Sequence, residues 1–208
     1  MRNVRTKGAE LLRNQDIMMV RAASDEVEIN QNELAQRLGT ARGYNDDLIE
    51  SCKKRLMEII DYKCAYIRIR LDVPRENVCA FDFMTVESRQ LYNNLKGCKE
   101  VFAMALTAGI NVDRELAKLR IVSQAEYFVT DALASAAVDS FADYASAKMR
   151  GVLKTAPRFS PGYGDFSLSF QKPFLERLDA HGLLGITLDN AYLMTPMKSI
   201  TAIMGIRT

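Results

Sequence analysis

The chain has 208 residues, 48% of them hydrophobic and 26% charged, with a formal net charge of +2. That length and balance describe a globular protein able to bury a sizeable core. Lys and Arg are interleaved with Asp and Glu almost throughout, which argues against a dedicated nucleic-acid binder or anionic-membrane binder.

From the start, Ala9 to Arg21 reads as a helix with a charged exit at Ser24-Asp25-Glu26. Asn30 or Asn32 can cap a short helix over Glu33–Leu38 that Gly39 ends. A longer helix follows Gly43-Tyr44-Asn45-Asp46-Asp47, with Leu48, Ile49, Cys52, Leu56 and Ile59 or Ile60 on one buried face. Cys64–Leu71 alternates, setting Ile67, Ile69 and Leu71 against Arg68 and Arg70, so it predicts a strand with one solvated face. Val78–Phe83 predicts a second strand, Ser88–Leu95 a short helix, and Glu100–Thr107 a mostly buried strand. Val112–Val122 is a helix with Asp113 in its first turn, where a carboxylate suits the dipole.

Ala125–Met149 predicts a long helix rich in Ala and Ser, suited to close packing on a sheet. Asp131 and Asp139 share roughly one of its faces. They read either as solvated residues or as a carboxylate pair beside a cationic ligand. Leu168–Leu178 follows as a helix, and Gly185–Leu188 and Ser199–Ile206 as strands. The expected fold is α+β: a mixed or antiparallel twisted sheet packed against the long small-residue helix, with a helical N-terminal part. The expected division is a helical extension over residues 1–28 and a single domain over 29–208.

Residue chemistry removes several function classes. Cys52, Cys64, Cys79 and Cys98 form no CxxC pair, so they read as free thiols of a reducing cytoplasm. The single histidine, His181, leaves no Ser-His-Asp, Cys-His or multi-histidine metal site. Neither a P-loop nor GxGxxG is present. The opening residues lack the apolar segment of a secretion signal, and no apolar run reaches membrane-spanning length.

One loop concentrates the remaining chemistry: Arg158-Phe159-Ser160-Pro161-Gly162-Tyr163-Gly164-Asp165. Pro161 presets φ and Gly162 accepts positive φ, which predicts a type II turn bringing Arg158 and Tyr163 together and leaving backbone N–H groups for a ligand. Arginine recognises carboxylate or phosphate, and a tyrosine ring faces a cation or flat heterocycle. The same residues also fit an ordinary connecting loop with a surface arginine.

The string Arg158-x-x-x-Gly162-Tyr163 resembles the RxxxGY motif of the activation domain, which binds S-adenosylmethionine, of cobalamin-dependent methionine synthase. The run Ile186-Thr187-Leu188-Asp189-Asn190-Ala191-Tyr192-Leu193-Met194-x-Pro196-x-x-Ser199-Ile200-Thr201 resembles the stretch that follows it there. The acidic Ala/Ser helix ending Asp139-Ser140-Phe141-Ala142-Asp143-Tyr144 is similar to that family's alanine-rich helix, and Leu34–Gly43 to the start of its free-standing forms. The chain departs from the pattern in carrying Gly164-Asp165-Phe166 where Pro and Cys follow the Gly-Tyr, and Met204 near an expected tyrosine. No match is found for an N-terminal aspartate that contacts the ligand in the large enzymes.

The resemblance implies a protein that binds S-adenosylmethionine and supports reductive methylation of cob(II)alamin. That cobalamin is held by a partner, a cobalamin-dependent methionine synthase or another corrinoid protein, with a flavodoxin-type electron donor. It further implies Arg158 on the methionyl carboxylate and Tyr163 orienting or stacking on the ligand. Backbone groups of Ser160, Pro161 and Gly162 would meet adenine or ribose, and Asp139 the amino group. A docking module that kept the fold and lost the ligand is the alternative.

Overall fold

Period-two patterning in the middle and at the end of the chain becomes one five-stranded antiparallel sheet. The computed structural model describes residues 16–39 and 46–207. The sheet is built from β1 (Met18–Ala22), β2 (Tyr62–Arg70), β5 (Cys98–Thr107), β6 (Lys154–Thr155) and β9 (Ser199–Arg207), in the order β1-β2-β5-β9-β6. Two small ladders sit outside it: β3 (Val78–Ala80) with β4 (Thr85–Glu87), and β7 (Thr187–Leu188) with β8 (Met194–Thr195). The helices are α1 (Gln31–Leu38), α2 (Asp46–Ile59), α3 (Arg89–Asn94), α4 (Ile110–Val122), α5 (Gln124–Arg150), α6 (Gln171–Arg177) and α7 (Ala180–Leu184).

β5 lies in the middle of the sheet and is buried on both sides, so it reads as an unbroken apolar run. Phe102, Met104 and Leu106 enter one core with Ala202, Met204 and Ile206 of β9. Val101, Ala103 and Ala105 enter the other with Ile203. Helices α1, α2, α4 and α5 cover the first face, and α3, α6 and α7 the second. Ala132, Ala136, Ala137, Ala142 and Ala145 of α5 are all buried in the first core. Their small side chains leave Tyr62 of β2 room to stack on Phe141, with ring centroids 4.6 Å apart.

Local signals account for the helix ends. The Asn30 side chain accepts from the N–H groups of Asn32 and Glu33, and α1 stops at Gly39. Ser88 caps α3 by accepting from Leu91 N–H at 3.0 Å. Arg68 and Arg70 are exposed, paired with Glu100 and Asp72, but Tyr62 and Cys64 on the same side of β2 are buried in the first core, so only the outer end of the expected solvated face meets water.

Three expectations change. The expected helix ending at Arg21 gives way, over Met18–Ala22, to a strand on the edge of β2; its earlier part lies outside the described residues. Ladder hydrogen bonds from β2 outweigh the weak local helical pattern there. The Val78–Phe83 strand stops at Ala80, because Phe81 N–H turns back to Met84 C=O at 2.8 Å. The Gly185–Leu188 strand shrinks to Thr187–Leu188, one leg of a hairpin whose turn is held by Asp189.

Asp165 has a structural task. Its carboxylate accepts from the Ser88 hydroxyl and from the N–H groups of Arg89 at 2.8 Å and Gln90 at 3.3 Å, tying the loop after β6 to the start of α3. The bond from Ser88, then those backbone bonds, hold its carboxyl below the usual carboxylate range against the opposing effect of desolvation. Four thiols, Cys52, Cys64, Cys79 and Cys98, are free and buried. Burial pushes Cys64 up to about 12 and Cys79 up to about 11.

Ala136→Leu in α5 overpacks the helix–sheet contact and lowers stability by about 1–3 kcal/mol. Ala147→Leu, on the same helix but exposed, stays within about 0.5 kcal/mol in the same urea titration. Asp165→Asn lowers the urea midpoint at neutral pH. A depressed carboxyl stabilises above its ordinary pKa and stops doing so as pH falls through the folded value, so the deficit narrows on acidification.

Candidate functional site

The last turns of α5 carry Asp139, Asp143, Ser146 and Arg150 at helical spacings of four, three and four, which places them in one stripe. The chain leaving β6 runs antiparallel beside β9: Ala156 N–H donates to Gly205 C=O at 2.8 Å, and Phe159 exchanges backbone hydrogen bonds with Ile203 at 2.8 and 2.9 Å. Phe159 turns its ring to the second core, 6.3 Å from Phe166 and stacked with it. Alternation then gives Arg158 to the α5 side. Between the stripe and this loop lies a cleft of about 690 Å³, with Ile200 and Met204 of β9 also in its lining. Its size is that of a small-molecule site.

The predicted turn is present. Gly162 sits at φ 93° and Tyr163 N–H donates to Ser160 C=O at 3.1 Å, as a type II turn requires. Two of the backbone donors expected to face a ligand are used inside the loop, that of Tyr163 and that of Gly162, which donates to Phe166 C=O at 2.7 Å. Ser160 N–H and the carbonyls of Pro161 and Gly162 carry no hydrogen bond to a described residue. Ser160 and Tyr163 line the cleft; Pro161 and Gly162 shape the turn without lining it. Tyr163 is 58% exposed, its ring set edge-on to Phe159 at 5.9 Å.

Arg158 is positioned by α5. Its Nη1 donates to Asp143 Oδ1 at 2.7 Å and to Ser146 Oγ at 3.1 Å, and the Ser146 hydroxyl donates to Ala142 C=O at 2.6 Å. With Nη1 so used, Nε and Nη2 make no hydrogen bond to a described residue. They are the edge with which a guanidinium takes a carboxylate. The Asp143 side chain is 71% exposed, so this ion pair orients Arg158 more than it stabilises the fold.

Asp139 lines the same cleft and pairs with Arg37 of α1, which also holds Glu33 at 2.9 Å. Burial raises the Asp139 carboxyl, the Glu33 charge adds to this, and Arg37 opposes it. Asp131 goes elsewhere: Lys198 Nζ donates to it at 2.7 Å and to Ser135 Oγ at 2.8 Å. The acidic pair of the cleft is therefore Asp139 and Asp143, one helical turn apart, rather than Asp131 and Asp139. The i, i+4 spacing held that signal. Ser146, Arg150 and Arg37 had no motif to mark them.

A second cleft, of about 520 Å³, lies beside α6, α7 and the β7–β8 hairpin and includes Lys172, His181 and Tyr192 in its lining. It holds no arginine positioned as Arg158 is, so the α5 cleft is the better candidate. Among the described residues no group of three or more His, Cys, Asp or Glu side chains is placed to hold a metal ion. No helix among them is long and apolar enough to cross a membrane.

No family model and no curated protein matches the chain. Its structure is similar to the crystal structure of the MetH reactivation domain bound to AdoHcy, with a TM-score of 0.70 and 12% sequence identity. The match covers 91% of this chain and 78% of that one. The α+β architecture reached from the strand and helix pattern is thus the fold of that reactivation domain.

Proposed function

We propose that the α5 cleft binds S-adenosylmethionine, and its demethylated form S-adenosylhomocysteine, and that the protein supports reductive methylation of cobalamin held by a separate corrinoid protein. The observation that carries this reading is Arg158, held by Asp143 and Ser146 with Nε and Nη2 unspent, beside Asp139 in a cleft of suitable size. The similar reactivation domain has AdoHcy bound, which supports the same ligand class here. The ligand carries a carboxylate, an ammonium and a flat base; the cleft offers a guanidinium, two carboxylates and the exposed Tyr163 ring.

In this reading Arg158 takes the methionyl carboxylate and Asp139 the amino group. Tyr163 orients the ligand and Ser160 N–H serves adenine or ribose, while Pro161 and Gly162 hold the turn that presents them. Met204 gives an apolar, polarisable wall where a tyrosine is expected from the family pattern. The bound ligand would supply its sulfonium methyl to the cob(I)alamin that one electron from the donor forms from cob(II)alamin on the partner, and would leave as S-adenosylhomocysteine. For that transfer the chain's residues bind and orient the ligand, and no proton has to move at their side chains. The partner is a cobalamin-dependent methionine synthase or a related corrinoid protein, with a flavodoxin-type donor for the electron.

Titration calorimetry with S-adenosylmethionine gives saturable heat for the wild-type protein. Arg158→Ala weakens binding by about 2–5 kcal/mol, the cost of leaving the ligand carboxylate unpaired. No heat with the wild type, for either ligand, overturns the proposal and leaves the docking-module alternative. Mixed with a cob(II)alamin-loaded partner, a reductant and S-adenosylmethionine, the protein produces the methylcobalamin absorption spectrum, and Arg158→Ala slows its appearance.

A further inference from the structure

Asp139 is shared between two structures. It lines the cleft from α5, and it is also the outer partner of Arg37, whose guanidinium bridges it to Glu33. Helix α1 lies against α5 here: Asn30 N–H donates to Ser140 Oγ at 3.0 Å, Leu34 is buried in the core, and Tyr144 reaches Glu26 Oε1 at 3.4 Å. The Ser140 and Tyr144 contacts fall within two turns of α5, the same turns that form the acidic wall of the cleft. The Arg37 and Asp139 side chains are 36% and 31% exposed, so water and a ligand can reach the pair.

We propose that Arg37 is a displaceable counter-ion: a cationic group of the ligand takes Asp139 from Arg37, so that ligand binding and the docking of α1 on α5 oppose each other. This deepens the proposed function and rests on it. A carboxylate that already faces one guanidinium gains less from a second cation than an unpaired one does. The ligand must therefore compete with Arg37 for Asp139, and Arg37 weakens the binding of ligands that carry an ammonium. The burial and the Glu33 charge that raise the Asp139 carboxyl make a cation there more necessary. By linkage, whatever Arg37 takes from ligand affinity, the ligand takes from the hold of α1.

The test is calorimetry with S-adenosylhomocysteine at pH 8. Arg37→Gln keeps a polar side chain but removes the charge and the reach of the guanidinium; it tightens binding about three- to fivefold, the range of one exposed ion pair. Arg37→Lys stays at the wild-type affinity. Asp139→Asn weakens binding, and in that background Arg37→Gln has no further effect. Hydrogen exchange of the wild type speeds up over residues 31–38 when the ligand is added. Unchanged or weaker binding by Arg37→Gln, with wild-type Arg158 dependence intact, overturns the counter-ion role and leaves the binding function standing. Unchanged or slowed exchange in α1 overturns it as well. Absence of ligand heat in the wild type overturns both.

Discussion

Close contact between α5 and the sheet is the constraint on which the rest of the protein depends. A helix of 27 residues lies along β2, β5 and β9 because alanines occupy the positions that larger side chains would hold apart. The short helix-to-sheet distance fixes more than the core. It sets the last turns of α5 opposite the strand-like segment leaving β6, and so determines how wide the cleft between them is. The acidic stripe and the arginine are brought within hydrogen-bonding reach by the same packing that buries Phe141 and Ala142.

The loop from Arg158 to Asp165 is held at both ends and in the middle. Phe159 is hydrogen-bonded to Ile203, the turn is closed between Ser160 and Tyr163, and Asp165 is bound at the start of α3. Gly164, at φ 53°, lets the chain pass so close to Gln90 that a Cβ there would overlap its side-chain amide. The Gly164-Asp165 departure from the family pattern thus has a physical account. The Asp165 carboxylate anchors the loop at the start of α3. The loop's geometry is set by backbone bonds and by Asp165, while side-chain bonds to Asp143 and Ser146 orient Arg158 and leave its Nε and Nη2 unspent.

Much of this was legible in the sequence, and unevenly so. β5, β9, α4 and α5 were legible because period and composition agreed with burial over ten or more residues or nearly so. The type II turn was legible because Pro-Gly restricts the backbone locally. β1 was not, since what makes Met18–Ala22 a strand is the free edge of β2, forty residues away. In the site, Arg158, Ser160, Tyr163 and Asp139 could be named from motif and spacing. Arg37 and Ser146 could not: one comes to the cleft through the docking of a separate helix, the other through its turn of α5 meeting the loop. Asp131 looked like a partner of Asp139 on helical phase alone, and only the position of Lys198 at the start of β9 separates them.

The bridge between Phe159 and Ile203 has a consequence beyond the cleft. Among the described residues no strand lies beside β9 on that side beyond β6 and this bridge, and Ser199–Ala202 leave their outward backbone groups without a ladder. A strand edge without a ladder partner is where a second molecule can pair. Ser160 and Tyr163 of the loop after the bridge line the same cleft as Ile200 of that edge. In the proposed reading the segment that meets the ligand also borders this unpaired edge, so a substitution in it bears on self-association as well as on recognition.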